Sequence, residues 1–278
     1  MGYLNNEYDV IVVGAGHAGC EAAVSCAKLG AKVLLATLNV DNIAMMPCNP
    51  AIGGPAKSTL VREIDALGGV MGEVADETYI QMKMLNSSKG PAVRALRAQS
   101  DKKQYIDCMR NIIENNENIF QRHACITDLI TKDGVVCGAV DEFGIEYKAR
   151  SIILTTGTSL SGGIFVGLQS YSAGRLGEKA AIGLSDSLMK LGINIKKLKT
   201  GTPPRVDKRT IDYSKMTIQP GDEVLNFYSF KPNRPVRPQY PCYLTRTNEE
   251  THAIIKANLD KSPMYKGLIH GVGPRYCP

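Results

Sequence analysis

The 278 residues contain no Cys-x-x-Cys pair, no long apolar run and only four histidines. Each absence excludes a class of protein. Structural zinc needs a full set of cysteines and histidines at ligand spacing, and the four histidines and eight cysteines form no such set, so no metal site is expected. A membrane helix needs about 18 consecutive apolar residues; none of the runs approaches that, so no membrane span is expected. Residues Met1 to Asp9 lack the basic flank and apolar stretch of a secretion signal, and Asn6 stands where a myristoylation motif takes Ser or Thr. The eight cysteines are too sparse and irregular for a disulfide scaffold and read as reduced thiols, which points to the cytoplasm. No internal repeat or low-complexity segment occurs.

What is present is an ordinary globular balance, 44% hydrophobic and 22% charged, in a length that fits one large domain or two ordinary ones. The net charge of +6 permits an acidic partner such as RNA without requiring one.

The first segment, "YDVIVVGAGHAGCEAAVSCAKLGAKVLLAT", carries the strongest signal. An apolar run from Val10 to Val13 turns at Gly14. Ala18, Ala22, Ala23, Cys26, Ala27 and Leu29 then recur at helical spacing, Gly30 stands at the C-terminal cap, and Val33 to Ala36 form a second strand. Gly14, Gly16 and Gly19 make G-x-G-x-x-G inside this βαβ unit. The first glycine serves the tight turn, the second lets backbone approach a pyrophosphate, and the third lets helix and strand pack closely. The residue that usually holds the ribose hydroxyls is an acid; here the end of the second strand is Thr37.

Further along, "STLVREIDALGG" reads as a short helix behind a Ser58 or Thr59 cap, and Asp101 to Asn115 as another. Ala124 to Thr131, Val135 to Val140 and Ile145 to Lys148 read as an antiparallel meander joined by "KDG" and "DEFG" turns, before a parallel strand Ser151 to Thr155. A meander in that place distinguishes two-dinucleotide flavoproteins from plain nicotinamide domains, so the expected cofactor is FAD. The fold class is therefore α/β, a Rossmann-like FAD-binding domain with an antiparallel meander and a partial second α+β domain. Proline and basic residues take over from Lys199, which divides the chain into 1–198 and 199–278. Thr247 and Glu250 suggest a capping box for a helix through Asn258.

"PCNPAIGG", "REIDALGG", "LNSSKGPAVRALRAQSD", "LKTGTPPR", "TNEETH", "SPMYKG" and "GVGPRYCP" together resemble the MnmG (GidA) family of tRNA uridine 5-carboxymethylaminomethyl modification enzymes, from about Tyr8 to Pro278. Family members continue well beyond this point, so the chain resembles an N-terminal fragment, expected to lack full activity. It departs from the family at Ala56 and Ser58, where glycines are usual, and at Thr59, where histidine is common. The resemblance implies modification of C5 of the tRNA wobble uridine, by a homodimer acting with the GTPase MnmE. It implies FAD, NADH as reductant and methylene-tetrahydrofolate as one-carbon donor. Carried onto this sequence, Gly14, Ala15, Gly16, His17, Ala18 and Gly19 meet FAD, as do Ile126 and Ala181. Gly273, Pro274, Arg275, Tyr276, Cys277 and Pro278 open a nicotinamide-binding segment. Cys48 and Cys277 match two functional cysteines, and which of them adds to uracil stays open.

Local chemistry gives Cys48 a reason of its own. Uracil C5 becomes a carbon nucleophile only after addition at C6, and a thiolate suits that addition. Lys57 and the helix near Ser58 offer positive charge, Pro47 and Pro50 restrict the loop, and Gly53 and Gly54 permit close approach of backbone to a flavin. The other six cysteines read as packing. Basic groups at Lys89, Arg94, Arg97, Lys102 and Lys103, and at Lys196, Lys197, Lys199 and Arg205 with Arg234, Arg237 and Arg275, suit phosphate contacts, although most such runs are solvated faces. Tyr79, Tyr240 and Tyr243 fit packing better than base stacking. Three other readings compete: a folate- and FAD-dependent tRNA uracil-5 methyltransferase, an FAD oxidoreductase of a small metabolite, and a binding protein without a complete flavin site.

Overall fold

The structure is a computed structural model that describes residues 6–232, 234–271 and 273. Strand β1 (Glu7–Val13) leads through the glycine turn into α1 (His17–Lys28) and β2 (Val33–Thr37). Val33 to Ala36 are all buried, as a parallel strand covered on both faces requires. The buried stripe of α1 is Gly19, Cys20, Ala23, Val24 and Ala27. These side chains are small, which lets the helix lie close on the sheet. Gly30 has φ +84° just past the helix, the left-handed conformation expected of its cap.

Short strand β3 (Ala51–Gly53) is followed by α2 (Ser58–Ala66), α3 (Met71–Thr78), β4 (Tyr79–Leu85), β5 (Ala95–Ser100) and α4 (Lys102–Glu114). Then come β6 (Ile119–His123), β7 (Ile126–Lys132), β8 (Val135–Asp141) and β9 (Glu146–Leu154). The main sheet has the order β6-β2-β1-β9-β8-β7, parallel from β6 to β9 and antiparallel across β9, β8 and β7. The meander expected from sequence is present with one correction. Ile145–Lys148 and Ser151–Thr155 are not separate strands: they merge into β9, which pairs with β8 over Glu146 to Lys148 and with β1 from Lys148 to Leu154, sharing Lys148. No glycine or proline interrupts Glu146–Leu154, so nothing in it forces a break.

Beyond the meander lie the hairpin β10 (Gly163–Val166) and β11 (Gln169–Ser172), α5 (Leu184–Lys190), the paired strands β12 (Thr217–Gln219) and β13 (Cys242–Leu244), and α6 (Glu249–Ala257). Two caps differ from expectation. Lys57 rather than Ser58 or Thr59 precedes α2, and it makes no side-chain cap. Asn248, not Thr247, caps α6, its carboxamide oxygen accepting the Thr251 N–H at 2.8 Å. Its short side chain is one residue closer to the first turn.

A second sheet, β3-β5-β4, lies outside the parallel one. Residues 219–240 fold back over it. Gln81 Nε2 donates to the carbonyls of Gln219 and Tyr240, and the Met82 N–H donates to Gln239. Tyr228 is fully buried in the same core as α1 and α3, a burial worth about 2–3 kcal/mol. Asp76, also fully buried, accepts the N–H groups of Tyr228 (2.9 Å) and Ser229 (2.8 Å). The segment after Lys199 therefore contributes to the first core. Among the described residues, both buried clusters are built mainly from the chain before it.

Candidate functional site

The glycine turn sits at the C-terminal ends of β1 and β9. Gly14 has φ +102°, and a Cβ there would lie 2.4 Å from the Thr155 carbonyl oxygen. A Cβ on Gly19 would stand 1.8 Å from the Gly14 oxygen and 2.8 Å from Thr155 Oγ1. Both positions are closed by protein. A Cβ on Gly16 would meet nothing within 4 Å. No side chain caps α1 at Gly16, and its first turn holds no acidic residue. The orphan N–H groups of that turn and the open space over Gly16 suit a pyrophosphate. Thr155 completes the turn: its hydroxyl lies 2.9 Å from Gly14 O and 3.0 Å from Val13 O.

The neighbouring positions divide by exposure. Ala15 is buried and Ala18 exposed. The His17 ring packs edge-on against Tyr105 at 5.5 Å, with its Nδ1 buried and unpartnered. Burial, helped by the Arg175 charge, lowers its pKa and keeps the imidazole neutral. Ile126 opens β7 two residues after Ala124, whose N–H binds the Thr37 carbonyl at the end of β2 (2.9 Å). Ala181 is buried with its backbone already engaged: its N–H donates to Ser159 O and its carbonyl accepts the Ser161 N–H, both at 2.8 Å.

The loop bearing Cys48 is fixed to this turn. The Ala44 N–H donates to the Ala15 carbonyl at 2.8 Å, and at the far end the Ser100 N–H donates to Pro50 O at 2.7 Å. Between them two arginines hold carbonyls: Arg175 Nη1 that of Met45 (3.4 Å) and Arg205 Nη2 that of Cys48 (2.9 Å). Arg175 is paired with Glu178 at 2.6 Å. The half-buried Cys48 thiol stands 3.8 Å from Gly201 O. Burial pushes the Cys20 thiol up to about 12, and burial also raises Cys26, Cys108 and Cys125.

Gly53 and Gly54, expected to permit close approach of a flavin, differ in what surrounds them. Both have positive φ, and a Cβ on Gly53 would collide with the Tyr228 hydroxyl at 1.8 Å and Leu96 O at 2.5 Å. That hydroxyl lies 2.6 Å from Leu96 O and 2.9 Å from Ile52 O. Close packing of Tyr228 accounts for Gly53.

The basic groups also sort by partner. Lys89 and Arg94 lie on the exposed loop between β4 and β5, whereas Arg97 is tied to Gln81 and Gln219. Arg234 lies beside Ser229 and Glu77, and Arg237 donates to Glu77 O and Gln104; both lock residues 229–237 onto α3 and α4. Tyr79 is core, its hydroxyl bonded to Pro235 O and the Arg237 N–H. Tyr243 packs on Tyr213 at 4.6 Å, and Tyr240 is exposed. Gly273 lies against Lys199, two residues before Gly201. Pro274, Arg275, Tyr276, Cys277 and Pro278 lie outside the described residues.

Sequence reasoning missed Thr155, Arg175 and the grip of Arg205 on the Cys48 loop. Thr155 was within reach, since "LTTGT" ends the strand beside the glycine turn. Nothing local marks the two arginines, which act 130 and 157 residues away. Among the described residues no group of His, Cys, Asp and Glu could hold a metal ion, and no helix is long and apolar enough to cross a membrane.

Residues 9–278 match the family model described as glucose inhibited division protein A. The chain is 55% identical over 278 residues to a tRNA uridine 5-carboxymethylaminomethyl modification enzyme MnmG of Lactobacillus delbrueckii subsp. bulgaricus, covering 99% of this chain and 44% of that protein. It is 54% identical to the MnmG of Geobacillus thermodenitrificans, with 100% and 44% covered. Among solved structures, Aquifex aeolicus GidA superposes with a TM-score of 0.90 at 46% identity, over 98% of this chain and 46% of that one. The chain thus spans less than half the length of the relatives it matches.

Proposed function

The chain belongs to the glucose inhibited division protein A family, and on that premise we propose that it carries the flavin-binding and thiol-bearing part of an enzyme that modifies C5 of the tRNA wobble uridine. The observation that carries this reading is the attachment of the Cys48 loop to the dinucleotide turn through the Ala44 to Ala15 hydrogen bond. A nucleophilic thiol and a bound dinucleotide then share one end of the parallel sheet.

Gly14 to Gly19, with the first turn of α1, would hold the FAD pyrophosphate. Ile126 would offer backbone contacts near the adenine, and Ala181 would stand at another FAD-contacting position. When bound, FAD supplies two-electron redox chemistry, with NADH as the reductant. The chain's own residues handle the uracil. Cys48 adds as thiolate to C6, the displaced electron pair moves onto the C4 carbonyl, and C5 attacks a one-carbon electrophile derived from methylene-tetrahydrofolate. Loss of the C5 proton with departure of the folate amine leaves an exocyclic methylene at C5, the amine of glycine or ammonium adds to that carbon, and expulsion of the thiolate from C6 restores the ring and returns Cys48. Cys277 would serve as the second thiol, as acid, base or resolving group, and the two cysteines could exchange these parts.

In this reading 1–198 holds the cofactor and 199–278 begins the substrate and nicotinamide part. The protein works in the cytoplasm as a homodimer with the GTPase MnmE. The test is mass spectrometry of nucleosides from tRNA of cells lacking the gene. Loss of 5-carboxymethylaminomethyl-type wobble uridines, with T-loop thymidine intact, supports the reading. An unchanged profile, in cells holding no second copy of the gene, sinks it in favour of an FAD oxidoreductase of a small metabolite. Loss of thymidine instead points to the uracil-5 methyltransferase chemistry.

A further inference from the structure

Two cationic side chains hold the loop that carries Cys48, and a third cationic residue, Lys102, starts a helix two residues beyond one of the loop's anchors. Arg175 holds Met45 O and Arg205 holds Cys48 O. Lys102 opens α4 two residues after Ser100, which is hydrogen-bonded to Pro50 O at the loop's end. Their counter-charges are unequal. Arg175 is matched by Glu178. Asp101, beside Lys102, is taken up by the N–H groups of Lys103 (3.0 Å) and Gln104 (3.1 Å). Neither Lys102 nor Arg205 pairs with a carboxylate among the described residues.

Lys102 is lowered from its ordinary pKa by burial first and then by the charges of Arg205 and Arg175. Like charges gathered without a counter-ion are an unusual thing for a fold to keep, and an arriving anion converts that repulsion into attraction. Arg205 uses one guanidinium nitrogen on Cys48 O, and the rest of its planar fork fits phosphate oxygens, while Lys102 adds a compact point charge.

We propose that Lys102 and Arg205 together seat a phosphate of the RNA chain beside Cys48, fixing the register of the nucleotide whose base meets the thiol. The inference rests on the reading of Cys48 as acting on a tRNA uridine. The dinucleotide's pyrophosphate has its own donors in the first turn of α1, so the seat is free for the substrate.

The test uses this chain, a fluorescein-labelled anticodon stem-loop RNA with uridine at the wobble position, and FAD. RNA affinity is read by anisotropy between 50 and 200 mM salt, and FAD affinity by flavin fluorescence, for Lys102→Gln, Arg205→Gln, the double variant, and Lys132→Gln at the β7–β8 turn as control. One shared phosphate predicts that each single variant weakens RNA binding roughly 3- to 10-fold. The log–log salt slope should flatten by about 0.7, the value for one contact to a single strand, and by little more in the double variant. FAD affinity and the Lys132→Gln variant should stay within twofold of the parent. A measurement without variants runs beside it: RNA should slow acetylation of Lys102 in the parent chain at least threefold, read by peptide mass spectrometry. Unchanged slopes with no protection of Lys102 overturn the proposal while RNA binding by the parent keeps the substrate reading. Loss of FAD affinity with RNA binding intact assigns the seat to the cofactor and also overturns it. A parent chain that binds no RNA at any salt takes down both.

Discussion

Gly16 and Gly19 lie three residues apart in one motif, yet their substitution by alanine should fail in opposite ways. At Gly19 the new Cβ would sit 1.8 Å from the Gly14 oxygen and 2.8 Å from both Gly14 C and Thr155 Oγ1. Two of these atoms are backbone of the turn itself, so relief requires α1 to move off the sheet by more than an ångström. Overpacking of flexible side chains costs about 1–3 kcal/mol, and a backbone clash at the most tightly packed crossing of the fold belongs at or above the top of that range. At Gly16 the new Cβ would meet nothing, and the residue's φ of −75° suits alanine. Alanine is a poorer N-cap than glycine, which limits the stability loss to about 1 kcal/mol. The methyl group instead occupies the space over the first turn of α1. If a pyrophosphate belongs there, Gly16→Ala should lose at least about tenfold in FAD affinity, or about 1.4 kcal/mol. The assay pairs circular dichroism during urea unfolding, suited to a chain with no tryptophan, with flavin fluorescence titration. A Gly16→Ala chain that folds like the parent and binds FAD as tightly as the parent would refute the placement of the dinucleotide.

Two further outcomes follow from buried groups. Burial raises the Asp76 carboxyl from 3.8 to about 6 against the opposing pull of its two N–H donors and Arg234. The folded chain therefore binds that proton more tightly than the unfolded one, and the stabilisation is fully present below pH 3.8 and lost as pH rises through about 6. The stability advantage of the parent over Asp76→Asn should shrink by about 3 kcal/mol from pH 3.5 to pH 7 in urea unfolding; a pH-independent difference would count against this assignment. Cys48 is half-buried and Cys20 fully buried with its thiol pushed up to about 12. In the native chain at pH 8, iodoacetamide should label Cys48 at least tenfold faster than Cys20, as peptide mass spectrometry reads it, and equal rates would contradict the burial described.

Much of the N-terminal half could be read from the chain because its signals are local. Strand, glycine turn, helix and strand from Glu7 to Thr37 fall within some thirty residues, and the turns at Asp133–Gly134 and Gly144 punctuate the meander. β6 escaped notice because Ile119–His123 is short and has one buried residue, Ile119. β3, β4 and β5 escaped because the sheet they make pairs Ala51–Gly53 with Arg97–Gln99, and nothing in either stretch names the other.

The sequence by itself determined the βαβ unit, the meander and the presence of a cysteine in a proline-bounded loop, since periodicity and turn chemistry act between near neighbours. Tertiary structure decided what that cysteine faces. Arg205 meets Cys48 across 157 residues, Arg175 meets Met45 across 130, and Tyr228 reaches Ile52 across 176. It also decided which basic residues lock the fold and that, among the described residues, Lys102 and Arg205 have no carboxylate pair. The physical reason is that a hydrogen bond or a charge pair needs only proximity in space, and spacing along the chain carries no trace of it once the partners lie a hundred residues apart.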